Sequence, residues 1–347
     1  MIKLLKLLLL NLINKFQKTL APILSTNRFL TSVYYMFFSR KFDGEHKAVL
    51  KGKTNYYKSL KQIDSSSPML RRNIHRIEKG LIMIPRRPIF AESYIFITVK
   101  TFEKAINSSR IDAMELQWAH DVLKLYFETV TLTKSITEAK IYFEKSSKFI
   151  NRQSLENYIP YKFNNNIKPN ISLEDLNTLF LKRRSVRWYQ DQIVPYKLID
   201  NAINSASLAP SACNRQPFSF YVSSTKENAI NLAKCVGGTN GWGSNIPTII
   251  VVVGDLSAYN DEKDRHVIYI DSSLATMQLL LALETQGLST CCINWPDSEK
   301  ANSKIEKLIK LKPYQRVVMM ISVGYALESG QVPFSQKKKS NVLKRMI

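Results

Sequence analysis

Cysteine and histidine are both scarce, four of each in 347 residues. Cys213, Cys235, Cys291 and Cys292 show no CxxC spacing, and the neighbours Cys291 and Cys292 are badly placed to bridge each other. With the histidines standing singly, a zinc centre is not expected. Free thiols suit a reducing cytoplasm. Glycine is also sparse, 11 in all, and no GxGxxG run occurs, so the usual dinucleotide fingerprint is missing. Long apolar runs are lacking too. The start, MIKLLKLLLLNLINKF, is broken by Asn11, Asn14 and Lys15, and no Ala-x-Ala cleavage site follows it. No segment reads as a transmembrane span.

Acid is the fourth shortage. Against 50 Lys and Arg stand 28 Asp and Glu, a net charge of +22. The imbalance is uneven: residues 1–170 carry +16 and residues 171–347 carry +6. Two readings of this excess stay open, a solvated surface or an anionic partner. Nucleic acid is not favoured, because the aromatics do not interleave with the cations in any recognised motif. At helical spacing, Leu5, Leu9, Leu12, Ile13 and Phe16 share one face and Lys3, Lys6, Asn14, Gln17 and Lys18 the other. Such a helix either packs on the protein or lies on the inner face of an anionic membrane.

What is present is enough for a sizeable core: 45% hydrophobic residues, with 16 Phe and 16 Tyr. That composition excludes a disordered chain. Residues 1–150 read as a basic, mostly helical region. In MELQWAHDVLKLYFETV, Leu116, Ala119, Leu123 and Phe127 fall on one face. Residues 151–171 are polar and rich in Asn and Pro, the expected linker. From Ser172 onward the pattern is α+β, with central strands and flanking helices. Ser172 and Asp175 form a capping-box signature. FSFYVSS, PTIIVVVGD, STCCINW and QRVVMMISVGYA read as strands. PTIIVVVGD is apolar without alternation, as a strand buried on both faces would be. IDSSLATMQLLLALETQGL reads as a helix that is apolar nearly all round, and so deeply buried or at a subunit interface.

Three motifs carry chemistry. RRSVR at 183–187 clusters three cations after a helix, and Arg forks suit phosphate and other oxyanions. PSACNRQPF, from Pro210, is a stiff loop of small side chains that lets backbone approach a flat ligand. GLSTCCINW leads to Asn294 and Trp295. In this order, with a basic tail behind them, residues 172–347 resemble the nitroreductase family of FMN-dependent oxidoreductases. RRSVRWY is similar to its Arg-x-Ser-x-Arg/Lys-x-Phe, APSACNRQPF to its Pro-Ser-x-x-Asn-x-Gln-Pro-Trp, and ETQGLSTCCI to its Glu-Ala-x-Gly-Leu-Gly-Thr-Cys-Trp.

The resemblance implies a central mixed or antiparallel sheet flanked by helices, preceded here by the helical region. It also implies a homodimer with two FMN sites at the interface. Carried over by motif, Arg183, Arg184 and Ser185 meet the phosphate and ribityl chain, and Arg187 sits near the N1/O2 edge of the flavin. Pro210, Ser211, Ala212, Asn214 and Gln216 approach from the partner subunit. The backbone around Asn294, Trp295 and Pro296 faces N5, and Lys337 and Lys339 reach the phosphate. No catalytic side chain is implied, because the flavin moves the hydride between NAD(P)H and a small conjugated, nitro- or quinone-like substrate. Cys213 reads as a packing residue of its loop. Phe218, Ser289 and Cys292 depart from the family pattern, and the segment that forms its lid is not recognisable in DLSAYNDEKDRHVIYI.

RNIHRIEKGLIM, residues 72–83, belongs to the helical region. It resembles segments of long bacterial nitroreductase-like proteins, some associated with surface-polysaccharide synthesis. Gly80 reads as a helix C-cap. The segment is either an ion-paired helix end or a cap over the flavin site that meets an anionic substrate. An alternative function for the whole chain is a scaffold in envelope or polysaccharide assembly, with a vestigial nitroreductase fold.

Overall fold

A computed structural model describes residues 18–19, 21–150, 153–164 and 166–347. The amphipathic stretch expected at 2–18 lies outside the described residues but for Lys18. The first half is helical, as its periodicity predicts. Its helices are α1 (Arg28–Val33), α2 (Asp43–Ser59), α3 (Pro68–Leu81), α4 (Glu92–Ile106), α5 (Ala113–Thr129) and α6 (Lys134–Ser147). Several starts are written in the sequence. Asn27, Ser67, Asp112 and Thr133 each accept a backbone N–H from the first turn that follows. Pro68 opens α3, where no N–H is needed.

Helices α3 to α6 share one core. Leu70, Ile74 and Ile77 of α3 meet Val99 and Phe102 of α4, Leu123 and Tyr126 of α5 and Ile136 of α6. The expected C-cap at Gly80 is not there, because α3 runs through it to Leu81. A Cβ on Gly80 would stand 2.3 Å from the Phe90 ring. The residue is small so that Phe90 can pack, not so that the helix can end. The described residues between 153 and 171 form neither helix nor strand. Their start is pinned to α5: the Gln117 side chain accepts from the backbone N–H of Gln153 and Ser154 and donates to the carbonyls of Ser154 and Glu156.

The second half contains α7 (Leu173–Lys182), α8 (Tyr196–Ala206), β1 (Phe218–Val222), α9 (Lys226–Ala233), β2 (Thr248–Asp255) and α10 (Val267–Thr285). Then come β3 (Ser289–Asn294), α11 (Glu299–Ile305), β4 (Gln315–Gly324) and α12 (Ser340–Leu343). The capping box of α7 forms as the sequence predicts. The four strands lie in the order β1-β2-β4-β3, every neighbour antiparallel. Among the described residues, only the single bridge from Ser185 to Thr290 is parallel.

The unbroken apolar run of β2 is explained by its two covered faces. Ile249, Val251 and Val253 share a core with Ala229 and Leu232 of α9 and Ile305 of α11. Ile250 and Val252 point the other way, toward Ala202 of α8 and Leu279 and Leu283 of α10. By length and apolarity α10 would also suit a membrane span, but this face is buried against α8 and the sheet. Its outer face carries Ile270, Leu274 and Met277 at helical spacing, 57%, 45% and 41% exposed.

The halves meet in a small core of Ala48 from α2 with Leu256, Ala258, Tyr259 and Ile268. Gly52 makes that approach close. A Cβ there would lie 2.7–2.8 Å from the Cβ and carbonyl of Leu256.

Candidate functional site

After α7 the chain leaves the helix at Arg183, which is extended, and runs beside β3. The Val186 N–H donates to the Thr290 carbonyl at 3.0 Å. This pairing sets Arg187 over a cavity of about 280 Å³, walled by Gly237, Gly238, Trp242, Asn294 and Pro296. Arg187 is half-buried. Its guanidinium donates to the Ser185 carbonyl at 3.3 Å and lies 6.0 Å from the Trp242 ring centre. No carboxylate among the described residues pairs with it. The Trp295 side chain is buried away from this cavity and donates Nε1 to Asn302 at 3.0 Å. Only its backbone is free to act at the mouth of β3.

The other cations of the motif divide. Arg183 stands near buried Glu284, whose carboxyl is pushed up by burial against the pull of Lys182 and Arg183. Arg184 holds the tail, donating to the carbonyls of Pro333 and Phe334 at 2.7 and 2.5 Å. Lys337 and Lys339 are exposed, and neither joins an ion pair among the described residues. Burial pushes the Cys291 thiol beside this segment up, which keeps it protonated and poorly nucleophilic.

The second group is the 210–216 loop. Cys213, Asn214 and Gln216 have φ of 53°, 50° and 49°, a left-handed conformation that side chains other than Gly and Asn adopt at a cost. Such a loop must be held from outside, and two groups do so, one buried and one half-buried. Asp271 of α10 accepts the Ala212 N–H at 2.9 Å. Arg71 of α3 donates to the Asn214 carbonyl at 2.7 Å and to the Gln216 side chain at 3.2 Å. The Gln216 amide also donates to the Ser207 carbonyl at 2.6 Å, and Ser211 Oγ accepts the Gln216 N–H. Gln216 therefore braces the loop from within. Pro210 is exposed, while Ser211, Ala212, Cys213 and Asn214 are half-buried. Arg215 is buried with its guanidinium 4.7 Å over the Tyr259 ring, whose hydroxyl reaches toward Asp271 at 3.5 Å.

None of residues 210–216 lines the cavity beneath Arg187, so within one chain the two groups are separate. They sit at opposite ends of α10: Asp271 backs the loop, and Glu284 lies beside Arg183. Thirteen residues of helix separate them, about 20 Å at 1.5 Å per residue. Sequence reasoning missed Arg71 and Asp271. An acid set in the apolar run YIDSSLA was the available signal for Asp271. Arg71 offered none beyond lying in a cationic run.

The family model for the nitroreductase family matches residues 181–240 and 234–325. The FMN-dependent nitroreductase of Clostridium difficile is 30% identical, covering 46% of this chain and 92% of that one, with a TM-score of 0.40. A putative NADH dehydrogenase/NAD(P)H nitroreductase of Methanothermobacter thermautotrophicus is 28% identical over 162 residues, 46% of this chain and 81% of that protein. Human iodotyrosine deiodinase 1 is 24% identical over 221 residues, 54% of this chain and 75% of its own length.

Proposed function

The chain belongs to the nitroreductase family through its second half, and on that premise we propose that it is an FMN-dependent oxidoreductase. It moves a hydride between NAD(P)H and a small conjugated, nitro- or quinone-like substrate. The observation that carries this reading is Arg187, a half-buried guanidinium with no carboxylate partner among the described residues, set over a cavity walled by glycines and the end of β3. That donor set fits the electron-rich edge of a flavin.

FMN, when bound, supplies the hydride chemistry. The protein's share is binding and electrostatics. Arg187 would hold negative charge that develops at the N1/O2 edge, in a site where few waters screen it. Arg183 would meet the phosphate by charge-assisted hydrogen bonds. The strained 210–214 loop offers backbone and small side chains to the ring. Because loop and arginines lie at opposite ends of α10, a site that uses both is built from two chains. The exposed row Ile270, Leu274 and Met277 on the same helix is the natural seam of such a dimer.

Purified protein should be yellow, should bind added FMN with one flavin per chain, and should oxidise NADH or NADPH when a quinone or nitroarene is supplied. A colourless protein that takes up no FMN favours the scaffold alternative instead.

A further inference from the structure

Helix α3 presents Arg72, His75, Arg76 and Lys79 along one face, opposite buried Leu70, Ile74 and Ile77. Arg72, Arg76 and Lys79 join no ion pair among the described residues, although acids are near in sequence. Those acids are committed elsewhere. Glu78 accepts the Trp118 Nε1–H at 3.0 Å and faces His75 at 3.5 Å. Glu92 accepts hydrogen bonds from Thr133 and Ser135.

The two arginines are nonetheless held in place. The guanidinium of Arg76 stacks 3.7 Å over the Tyr94 ring centre. Arg72 stands near both Tyr94 and Tyr56. Burial raises both phenols above their ordinary value, so at neutral pH each is a protonated donor. Neither hydroxyl has a hydrogen-bond partner among the described residues. Two forks and two phenols from α2, α3 and α4 thus lie on one patch, and among the described residues no carboxylate pairs with either fork.

The patch adjoins the flavin loop. Arg71, one residue before Arg72, grips the Asn214 carbonyl, and Tyr56 lies near Arg215 as well as Arg72. We propose that Tyr56, Arg72, Arg76 and Tyr94 form an oxyanion site that seats the carboxylate or phosphate group of the substrate. This rests on the flavin reading above, because it places the reacting end of that substrate beside the 210–214 loop. Guanidinium forks take either oxyanion bidentately, and Lys79 extends the positive field along the helix.

Equilibrium dialysis of the full chain, with FMN added, tests this with para-nitrobenzoate, para-nitrophenyl phosphate and neutral nitrobenzene. The wild type should hold one of the anions at least about ten-fold more tightly than nitrobenzene, roughly one charge-assisted contact. The better of the two anions names the group. An Arg72→Gln/Arg76→Gln variant should lose that preference while its nitrobenzene binding stays as it was. Arg72→Lys/Arg76→Lys, which keeps the charge on the same surface, should retain part of it. No preference in the wild type, or a preference that survives the Gln pair, overturns the site. NAD(P)H oxidation in the same samples reports on the flavin reading separately. If flavin and turnover are absent while the anion preference persists, the oxidoreductase reading fails and the oxyanion site stands.

Discussion

Arg71 donates Nε to the Asn214 carbonyl at 2.7 Å while its NH1 meets Glu115 at 3.0 Å. One side chain thereby fastens the 210–216 loop of the second half to the helical core of the first. Glu115 is itself fixed, accepting from Ser66 Oγ and the Ser67 N–H, and its side chain is 3% exposed. The helical half thereby frames the 210–216 loop.

Arg71→Met should leave Glu115 a buried charge short of its partner and cost about 3 kcal/mol in urea unfolding. FMN affinity should fall as well, because the strained loop loses a brace. The pair Arg71→Met/Glu115→Gln should recover much of the stability but not the FMN affinity. Recovery of both would show that Arg71 serves only the helical core.

Arg183 and Arg184 are neighbours in sequence with different surroundings. Arg183→Ala should weaken FMN binding about ten-fold or more through loss of a phosphate contact. Arg184→Ala should free the tail instead, since Arg184 holds the carbonyls of Pro333 and Phe334. Limited proteolysis should then cut faster beyond residue 330, with a smaller change in FMN affinity. Equal loss of FMN in both variants would assign Arg184 to the phosphate as well.

Much of this architecture was legible because it is local. The capping box at Ser172, the bracketing of the four strands and the unbroken apolar run of β2 all follow from short-range pattern. Gly80 misled because a helix-ending glycine and a glycine that admits Phe90 look alike in sequence. Arg184 and Gln216 could be placed in a motif, but their partners at Pro333 and Ser207 are set by the fold. The brace from Arg71 is 143 residues away from Asn214 along the chain, and no periodicity reports a contact of that range.

Asp271 gives a pH dependence with a definite sign. Burial raises its carboxyl above the ordinary value, against the hydrogen bond from Ala212. A carboxyl raised in the folded state favours folding most below its unfolded value, and that contribution is lost as pH rises through the folded value. Asp255 and Glu284 are raised by burial in the same direction. Asp271→Asn keeps an acceptor for the Ala212 N–H and removes the titration. Its melting temperature should vary less than that of the wild type from the ordinary carboxylate range up toward neutrality. An unchanged pH profile would mean that Asp271 does not titrate there.

The proposed dimer is tested at Leu274. It lies on the outer face of α10, 45% exposed, between Ile270 and Met277, so Leu274→Arg should not disturb the fold of a single chain. In a two-chain site the same change places a charge in the seam, and burying an unpaired cation costs far more than the leucine contributed. The variant should sediment as a monomer with unchanged far-UV circular dichroism. It should also lose FMN, because the 210–214 loop of one chain would no longer meet the arginines of the other. A monomeric Leu274→Arg that keeps its flavin would show that one chain completes the site alone. A dimer that persists would move the seam to another face. A control at Ile193, which is 87% exposed and lies in the loop before α8, should leave both assembly and flavin as they are when changed to Arg. Sedimentation velocity followed at the flavin absorption band reads mass and cofactor in one run.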